Sequence, residues 1–143
     1  MAHVWISLAQ DEDGYPPFTE EQLHTREVGT DRHEVLSVPA FAKGIAVGDI
    51  LATKSVGEEL WATHVESEGK RWCVRIVALG GFDDERIVEV FDSMGALATK
   101  TPYGVVTLDV GPDVDAQHLL AELESGLTEG NWDYDVGVMP TAG

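Results

Sequence analysis

The stretch of sequence that decides the fold runs from residue 72 to residue 110 and reads WCVRIVALGGFDDERIVEVFDSMGALATKTPYGVVTLDV. Its opening apolar run predicts a buried strand. An Asp-Asp pair follows, and the apolar side chains after it recur at helical spacing, which predicts a capped helix that ends at Gly95. The Pro102-Tyr103-Gly104 turn then joins two more strands as an antiparallel hairpin. The stretch therefore predicts the order strand, helix, strand, strand.

A second helix and a last strand complete this pattern. Asp113 can cap a helix with a leucine-rich face, Gly130 can end it, and residues 132–139 return to extended structure. The full order is strand, helix, strand, strand, helix, strand, which is the split βαβ pattern of ferredoxin-like domains. We therefore predict an α+β fold with a ferredoxin-like βαββαβ half at residues 71–143.

Residues 1–70 predict a β-rich half, because short strands alternate there with turn signals, as in a small bent sheet or a barrel. One predicted hairpin has its strands at 23–28 and 33–38. A second predicted hairpin pairs residues 60–66 with residues 72–79. Since that second hairpin uses the first strand of the ferredoxin-like half, the two halves are either two domains or one fused domain.

The charge balance is strongly acidic, with 26 Asp and Glu against 9 Lys and Arg and a net charge of −17. The excess is even, with 13 acids and 5 bases up to residue 70, then 13 acids and 4 bases after it. There is no basic cluster that could bind phosphates, so nucleic acid and anionic membranes are disfavoured as partners. The acidity either keeps the protein soluble or steers a basic partner.

The sequence predicts a cytoplasmic protein. Cys73 is the only cysteine, so no internal disulfide can form, and its apolar surroundings predict a buried thiol. The first residues lack the basic segment and apolar run of a secretory signal, and no stretch approaches the roughly 18 apolar residues of a membrane span.

No local motif for catalysis, for a cofactor or for a metal is present. Nucleophilic catalysis needs Ser or Cys beside a base, and neither Ser93, Ser125 nor Cys73 has such a setting. The five histidines lack the paired spacing of metal ligands. We therefore expect no cofactor and no metal, and we lean against an enzyme. The histidines are His3, His24, His33, His64 and His118.

Three segments resemble a bacterial family known as domain-of-unknown-function family 4265. They are QDEDGYPP at 10–17, VPAFAKGIAVGDIL at 38–51 and NWDY at 131–134. Their order and spacing also fit the family, so the resemblance covers most of the chain. It implies a recurrent bacterial module, and it carries no activity and no functional residue.

The combination of acidity and missing motifs predicts a non-enzymatic acidic binding protein. One form is an immunity-type inhibitor that occupies the cationic site of a bacterial toxin or another basic protein. The alternative is a small-molecule-binding regulatory or sensor module, since paired ferredoxin-like domains can hold ligands at shared edges. A second alternative is an enzyme whose catalytic groups come together only in the fold.

The candidate protein-binding surface lies near the end of the chain. Asp115, Glu122 and Glu129 are predicted on the solvent side of the second helix. Alternation in the last strand places Trp132 and Tyr134 on one face, where they are predicted to act as aromatic anchors of the interface.

Overall fold

The computed structural model describes residues 2–14 and 18–138, and it divides the chain into two compact units, residues 1–70 and 71–143. The first unit contains a five-stranded sheet, and the second contains a four-stranded sheet and two helices. The predicted α+β class is therefore confirmed. Part of the segment 10–17 and residue 139 of the predicted last strand lie outside the described residues.

The first unit, which we call the barrel unit, closes its sheet in the strand order β1-β2-β3-β4-β5. Neighbouring strands are antiparallel except at the seam, where Trp5 of β1 lies opposite Trp61 of β5 in a parallel pairing. The two indole rings stack there with their centroids 6.2 Å apart. The strands are β1 Ala2–Ser7, β2 Glu20–Gly29, β3 Arg32–Val35, β4 Ile50–Val56 and β5 Glu59–Ser67.

The first predicted hairpin is confirmed, because β2 and β3 pair antiparallel with Thr25 opposite Val35. The second predicted hairpin is wrong, since β5 pairs with β4 through a turn at Gly57, whose φ of +64° suits glycine. The residues after β5 contact the chain near Gly48 and do not form a hairpin turn to β6. A Cβ on Gly69 would lie 2.5 Å from the carbonyl carbon of Gly48, so the backbones touch and leave no room for a side chain.

A loop at residues 36–49, which includes most of the second resemblance segment, packs apolar side chains on the barrel core and is held by two carboxylates. Glu21 of β2 accepts the N–H groups of three consecutive residues, 40 to 42, at 2.6 to 3.0 Å. Asp49, which is 2% exposed, accepts the N–H groups of Ala46 and Gly69 at 2.9 Å each. Buried backbone donors need such partners. The core cluster contains Leu23, Val35, Ala42, Ile45 and Leu51.

The second unit, which we call the two-layer unit, has the sheet order β7-β8-β6-β9 with all neighbours antiparallel. Strand β6 lies between β8 and β9 in this sheet. Edge strand β9 has its Tyr134 N–H bound by Asp133 Oδ1 at 2.9 Å. The elements are β6 Trp72–Ala78, α1 Asp84–Ser93, β7 Leu97–Lys100, β8 Val106–Val110, α2 Ala116–Thr128 and β9 Trp132–Val138.

Both helices begin at an Asp cap. Asp83 accepts the Glu85 N–H at 3.0 Å and caps α1, as the sequence predicts. Helix α2 is capped by Asp115, which accepts the His118 N–H at 3.2 Å, so the predicted cap at Asp113 is wrong. Asp113 instead lies in a turn closed by a hydrogen bond from Val114 N to Gly111 O, 3.3 Å long. No helix of the described residues is long and apolar enough to cross a membrane.

The apolar core of the two-layer unit lies between the sheet and the helices. Alternate residues of β6 and β8 point into it, and α1 and α2 contribute its remaining aromatic and leucine side chains. The opposite face of the sheet carries polar side chains, including Arg75, Thr107 and Asp109. The fully buried members of the core are Val74, Ile76, Ile87, Phe91, Val106, Leu108, Val110, Leu119 and Leu123.

Candidate protein-binding surface

The acids Asp115, Glu122 and Glu129 form a stripe along α2. They are spaced seven residues apart, which is close to two helical turns, so they share one side of the helix. Asp115 and Glu129 are exposed and Glu122 is half-buried. From the N-cap at Asp115 to the C-cap at Glu129 the stripe spans about 21 Å, at 1.5 Å per residue.

The acids at the C-terminal ends of the helices oppose the helix macrodipole. Glu129 is the C-cap of α2, Asp92 lies in the last turn of α1, and neither last turn has a basic residue. Negative charge at this end of a helix is unfavourable by roughly 0.3–1 kcal/mol when it is exposed. Asp92 has a local role, because it accepts the Ala98 N–H at 3.0 Å, whereas Glu129 accepts only a side-chain N–H from neighbouring Asn131 at 3.1 Å.

Tyr134 of the neighbouring strand contacts α2 on a different side from the stripe, since Glu124 lies about 200° around the helix from Glu122. Its hydroxyl donates to the carboxylate of Glu124 on α2, while its ring packs against the edge of the apolar core. The hydrogen bond to Glu124, with burial and the charges of Glu124 and Asp133, raises the pKa of Tyr134 to about 12. The tyrosine therefore stays neutral at physiological pH and orients Glu124.

Trp132 does not belong to the surface, and its predicted role as an anchor needs correction. It is only 3% exposed, and its indole Nε1 donates to the Leu123 carbonyl at 3.1 Å. A Cβ on Gly126 would lie 2.0 Å from the indole ring, so the ring occupies the space that a side chain at this helix position would fill. Alternation placed Trp132 and Tyr134 on one face correctly, and that face is the one that the helices cover.

Every Lys and Arg of the two-layer unit already contacts another group in that unit. As a result, none of them neutralises the stripe on α2. The ion pairs and the cation–π contact are Arg71 Nε to Asp109 Oδ1 at 2.8 Å, Arg75 Nη2 to Asp135 Oδ2 at 2.6 Å, Lys100 Nζ to Glu85 Oε1 at 2.9 Å, and Arg86 Cζ over the Phe82 ring at 5.3 Å.

One sequence signal for this surface was missed. After Lys100 the chain contains eight Asp and Glu and no Lys or Arg. The charge totals of the two halves do not show this uneven distribution of bases, because the four bases of the second half all precede residue 101. The acidic surface thus follows from where the bases stop as well as from where the acids lie.

The other polar groups do not form a second centre among the described residues. No group of three or more His, Cys, Asp or Glu side chains within residues 2–14 and 18–138 is placed to hold a metal ion. His64 is exposed and its Nδ1 lies 3.0 Å from the Thr63 hydroxyl, whereas His33 is buried beside Thr25. Cys73 is buried and forms no disulfide.

Comparison with known proteins identifies the family. Residues 21–134 match the family described as "Domain of unknown function (DUF4265)", so the chain belongs to that family and the predicted resemblance is confirmed. The fold is similar to a solved structure described as "Novel crystal structure of a hypothetical protein from Neisseria gonorrhoeae", with a TM-score of 0.81 and 15% identity over 99% of each chain. No curated protein matches the chain.

Proposed function

We propose that this member of the DUF4265 family is a non-enzymatic acidic protein that binds a partner rich in Lys and Arg. The observation that carries the proposal is the stripe of Asp115, Glu122 and Glu129 in a segment without basic residues. Tyr134 and Glu124 form a separate contact on another side of α2 and are not part of the stripe. Of the predicted surface, the proposal keeps the three acids and leaves out Trp132, which is buried, and Tyr134, which contacts another side of α2.

A contribution to folding does not explain the stripe. Glu129 stands at the negative end of the α2 dipole, and Glu122 adds a like charge two helical turns from each of its neighbours in the stripe. The position of Glu129 costs stability on the isolated chain, and neither charge stabilises it. A cationic partner makes the charges of Glu122 and Glu129 favourable, because it supplies the positive charge that the helix lacks.

The form of binding that we propose is inhibition in the manner of an immunity protein in the bacterial cytoplasm. Such an inhibitor covers the cationic site of a basic toxin, and it needs charge and shape complementarity with no catalytic group. The buried thiol of Cys73, which forms no disulfide, is compatible with a reducing compartment.

We also propose that the two-layer unit is a ferredoxin-like domain. Two features support this assignment, namely the order strand, helix, strand, strand, helix, strand and the antiparallel sheet order β7-β8-β6-β9. The small-molecule regulatory module stays an alternative on this basis alone, because a fold of this kind hosts many functions.

The test compares two pairs of charge reversals with the same change in net charge. Glu122→Lys with Glu129→Lys changes the stripe, and Glu58→Lys with Glu68→Lys changes two exposed acids of the barrel unit. Association with a fluorescent poly-lysine peptide, and with a basic protein captured from bacterial lysate, is followed by stopped flow at rising ionic strength. We expect the stripe pair to lower the association rate more than the barrel pair does.

Salt should slow association more than it changes dissociation, because the Debye length shrinks to about 8 Å near physiological ionic strength. Equal effects of the two reversal pairs would show that only net charge matters. An association rate that ignores both salt and the reversals would leave the acidity as a determinant of solubility.

A further inference from the structure

Two histidines face each other on the outer surface of the barrel unit. His3 lies on β1 and His24 on β2, and the antiparallel register places them directly opposite each other. Both side chains are exposed, whereas the next opposite pair along the two strands, Val4 and Leu23, is buried in the barrel. Because successive residues of a strand point to opposite faces, both imidazoles project outward from the barrel on the same face of the sheet.

The two imidazole rings are already in contact. Their centroids are 4.9 Å apart, and the ring planes are inclined by 64°, so one ring presents its edge to the other. Directly opposite residues of an antiparallel pair have Cβ atoms about 4.5–5.5 Å apart, and this spacing holds the rings together. Strand pairing thus creates a histidine pair from residues that lie about twenty positions apart in the sequence.

A pair of this kind has the ligands that a transition-metal ion needs. Imidazole nitrogen is a good ligand for Zn²⁺, Ni²⁺ and Cu²⁺. A metal–nitrogen distance of about 2.0–2.1 Å places two nitrogens on one ion within about 4 Å of each other. Exposed rings at a centroid distance of 4.9 Å reach this separation by a change of side-chain rotamer. Water from the solvent side fills the remaining coordination positions.

The charges around the pair are compatible with a bound cation. Arg26 is the next residue of β2 on the outer face, and its guanidinium is paired with the carboxylate of Glu34. The chain as a whole carries a net charge of −17, which attracts cations to its surface. Net charge attracts every divalent ion alike, whereas nitrogen ligands select transition metals over Mg²⁺ and Ca²⁺.

We propose that His3 and His24 form a two-ligand site for a divalent ion of the class of Zn²⁺, Ni²⁺ and Cu²⁺ on the outer surface of the barrel unit. Structural zinc sites use four protein ligands, so this site differs from them in being open to solvent. The bound ion connects β1 to β2 and stabilises the folded barrel unit, because only the folded chain brings the two rings together. The site is independent of the acidic stripe on α2 and of its basic partner.

The experiment is calorimetric titration of the full chain with nickel chloride, at a pH where imidazole is neutral. The variants are His3→Gln and His24→Gln, and His64→Gln is the matched control, since His64 is also exposed on the barrel unit but lies opposite Ala52. We expect one Ni²⁺ per chain, and a loss of affinity of at least about tenfold in each pair variant, because two linked ligands bind far more tightly than one. The control should bind Ni²⁺ as the unmodified protein does.

Urea unfolding followed by circular dichroism gives a second readout. Ni²⁺ should raise the unfolding midpoint of the unmodified protein and of His64→Gln, and it should leave the midpoints of His3→Gln and His24→Gln nearly unchanged. Equal Ni²⁺ affinities in the three variants, or a loss in only one of the two pair variants, would overturn the proposal. An unmodified protein that binds Ni²⁺ no more tightly than Mg²⁺ would overturn it as well, because Mg²⁺ prefers oxygen ligands.

Discussion

Between its sheet and its helices, the two-layer unit buries apolar side chains such as Phe91 and Leu123, whereas the barrel unit also encloses His33, Thr53 and the carboxylate of Asp49. Close-packed apolar interiors respond to changes in volume. Interiors with polar groups respond to the loss of a single donor or acceptor, even at constant volume. We therefore expect the two-layer unit to lose stability when side-chain volume changes, and the barrel unit to lose stability when a buried donor or acceptor is removed.

The largest effect is expected from adding one carbon to the two-layer unit. Gly126→Ala places a Cβ 2.0 Å from the Trp132 ring, which must then move and release its hydrogen bond to Leu123. We expect a loss of about 3 kcal/mol in the free energy of unfolding, although alanine favours helix by roughly 1 kcal/mol. Urea unfolding followed by tryptophan fluorescence measures it.

The control for this substitution is Ser125→Ala, at the exposed neighbouring helix position. It should change the free energy of unfolding by less than about 0.5 kcal/mol. A Gly126→Ala protein as stable as the unmodified one would show that the indole ring can shift without cost. The two-layer core would then be less closely packed than its geometry indicates.

A smaller effect is expected in the barrel unit from a change of nearly constant volume. Asp49→Asn keeps one acceptor oxygen and replaces the other by an amide group, so either Ala46 N or Gly69 N loses its partner. We expect a loss of about 1–3 kcal/mol. Amide hydrogen exchange should show faster exchange at Ala46 and Gly69 in particular.

Glu58→Gln, at an exposed turn of the same unit, is the matched control and should leave both exchange rates unchanged. If Asp49→Asn exchanges at the original rates, the loop at 36–49 is held by Glu21 and by its apolar contacts rather than by Asp49. The barrel unit would then tolerate the loss of a buried acceptor, which contradicts the contrast between the two units.

The smallest effect concerns pH. Tyr134 has a pKa of about 12 in the folded protein against 10.0 as its ordinary value, so the folded state retains the proton more strongly. This contribution to stability is complete below pH 10 and is lost as the pH rises towards 12. Tyr134→Phe should remove that part of the pH dependence, measured as the difference between the two unfolding curves from pH 9 to pH 12.

Glu124→Gln is the companion variant, because it removes the negative charge that the Tyr134 hydroxyl faces. Absorbance titration should show a lower pKa for Tyr134 in this variant. Identical pH profiles for Tyr134→Phe and the unmodified protein would mean that the contact with Glu124 adds nothing to stability.

Local signals were sufficient for much of the two-layer unit and insufficient for the barrel. Helix α1 follows from an Asp cap, helical spacing and Gly95, all of which act within a few residues. The hairpin expected between 60–66 and 72–79 fails because Gly69 is needed for contact with Gly48, about twenty residues away in the sequence. No pattern of neighbouring residues in the sequence indicates the contact between Gly69 and Gly48.

In the candidate surface, too, local sequence signals predicted some features and missed others. Helical spacing predicted the shared side of Asp115, Glu122 and Glu129, because it depends only on the geometry of one helix. The location of Trp132 depends on which face of the sheet the helices cover, and strand alternation does not contain that information. Gly126 was the available sign, since a glycine inside a helix often marks close packing.

The hydrogen bond from the Tyr134 N–H to Asp133 has a consequence for self-association. Strand β9 is an edge of its sheet, and an open edge can recruit strands of other molecules into aggregates. Asp133 occupies a main-chain donor that an incoming strand would need, and its exposed carboxylate places negative charge where identical chains would meet. Asp133 therefore makes the β9 edge less able to pair with strands of other molecules, which opposes fibril growth at this edge.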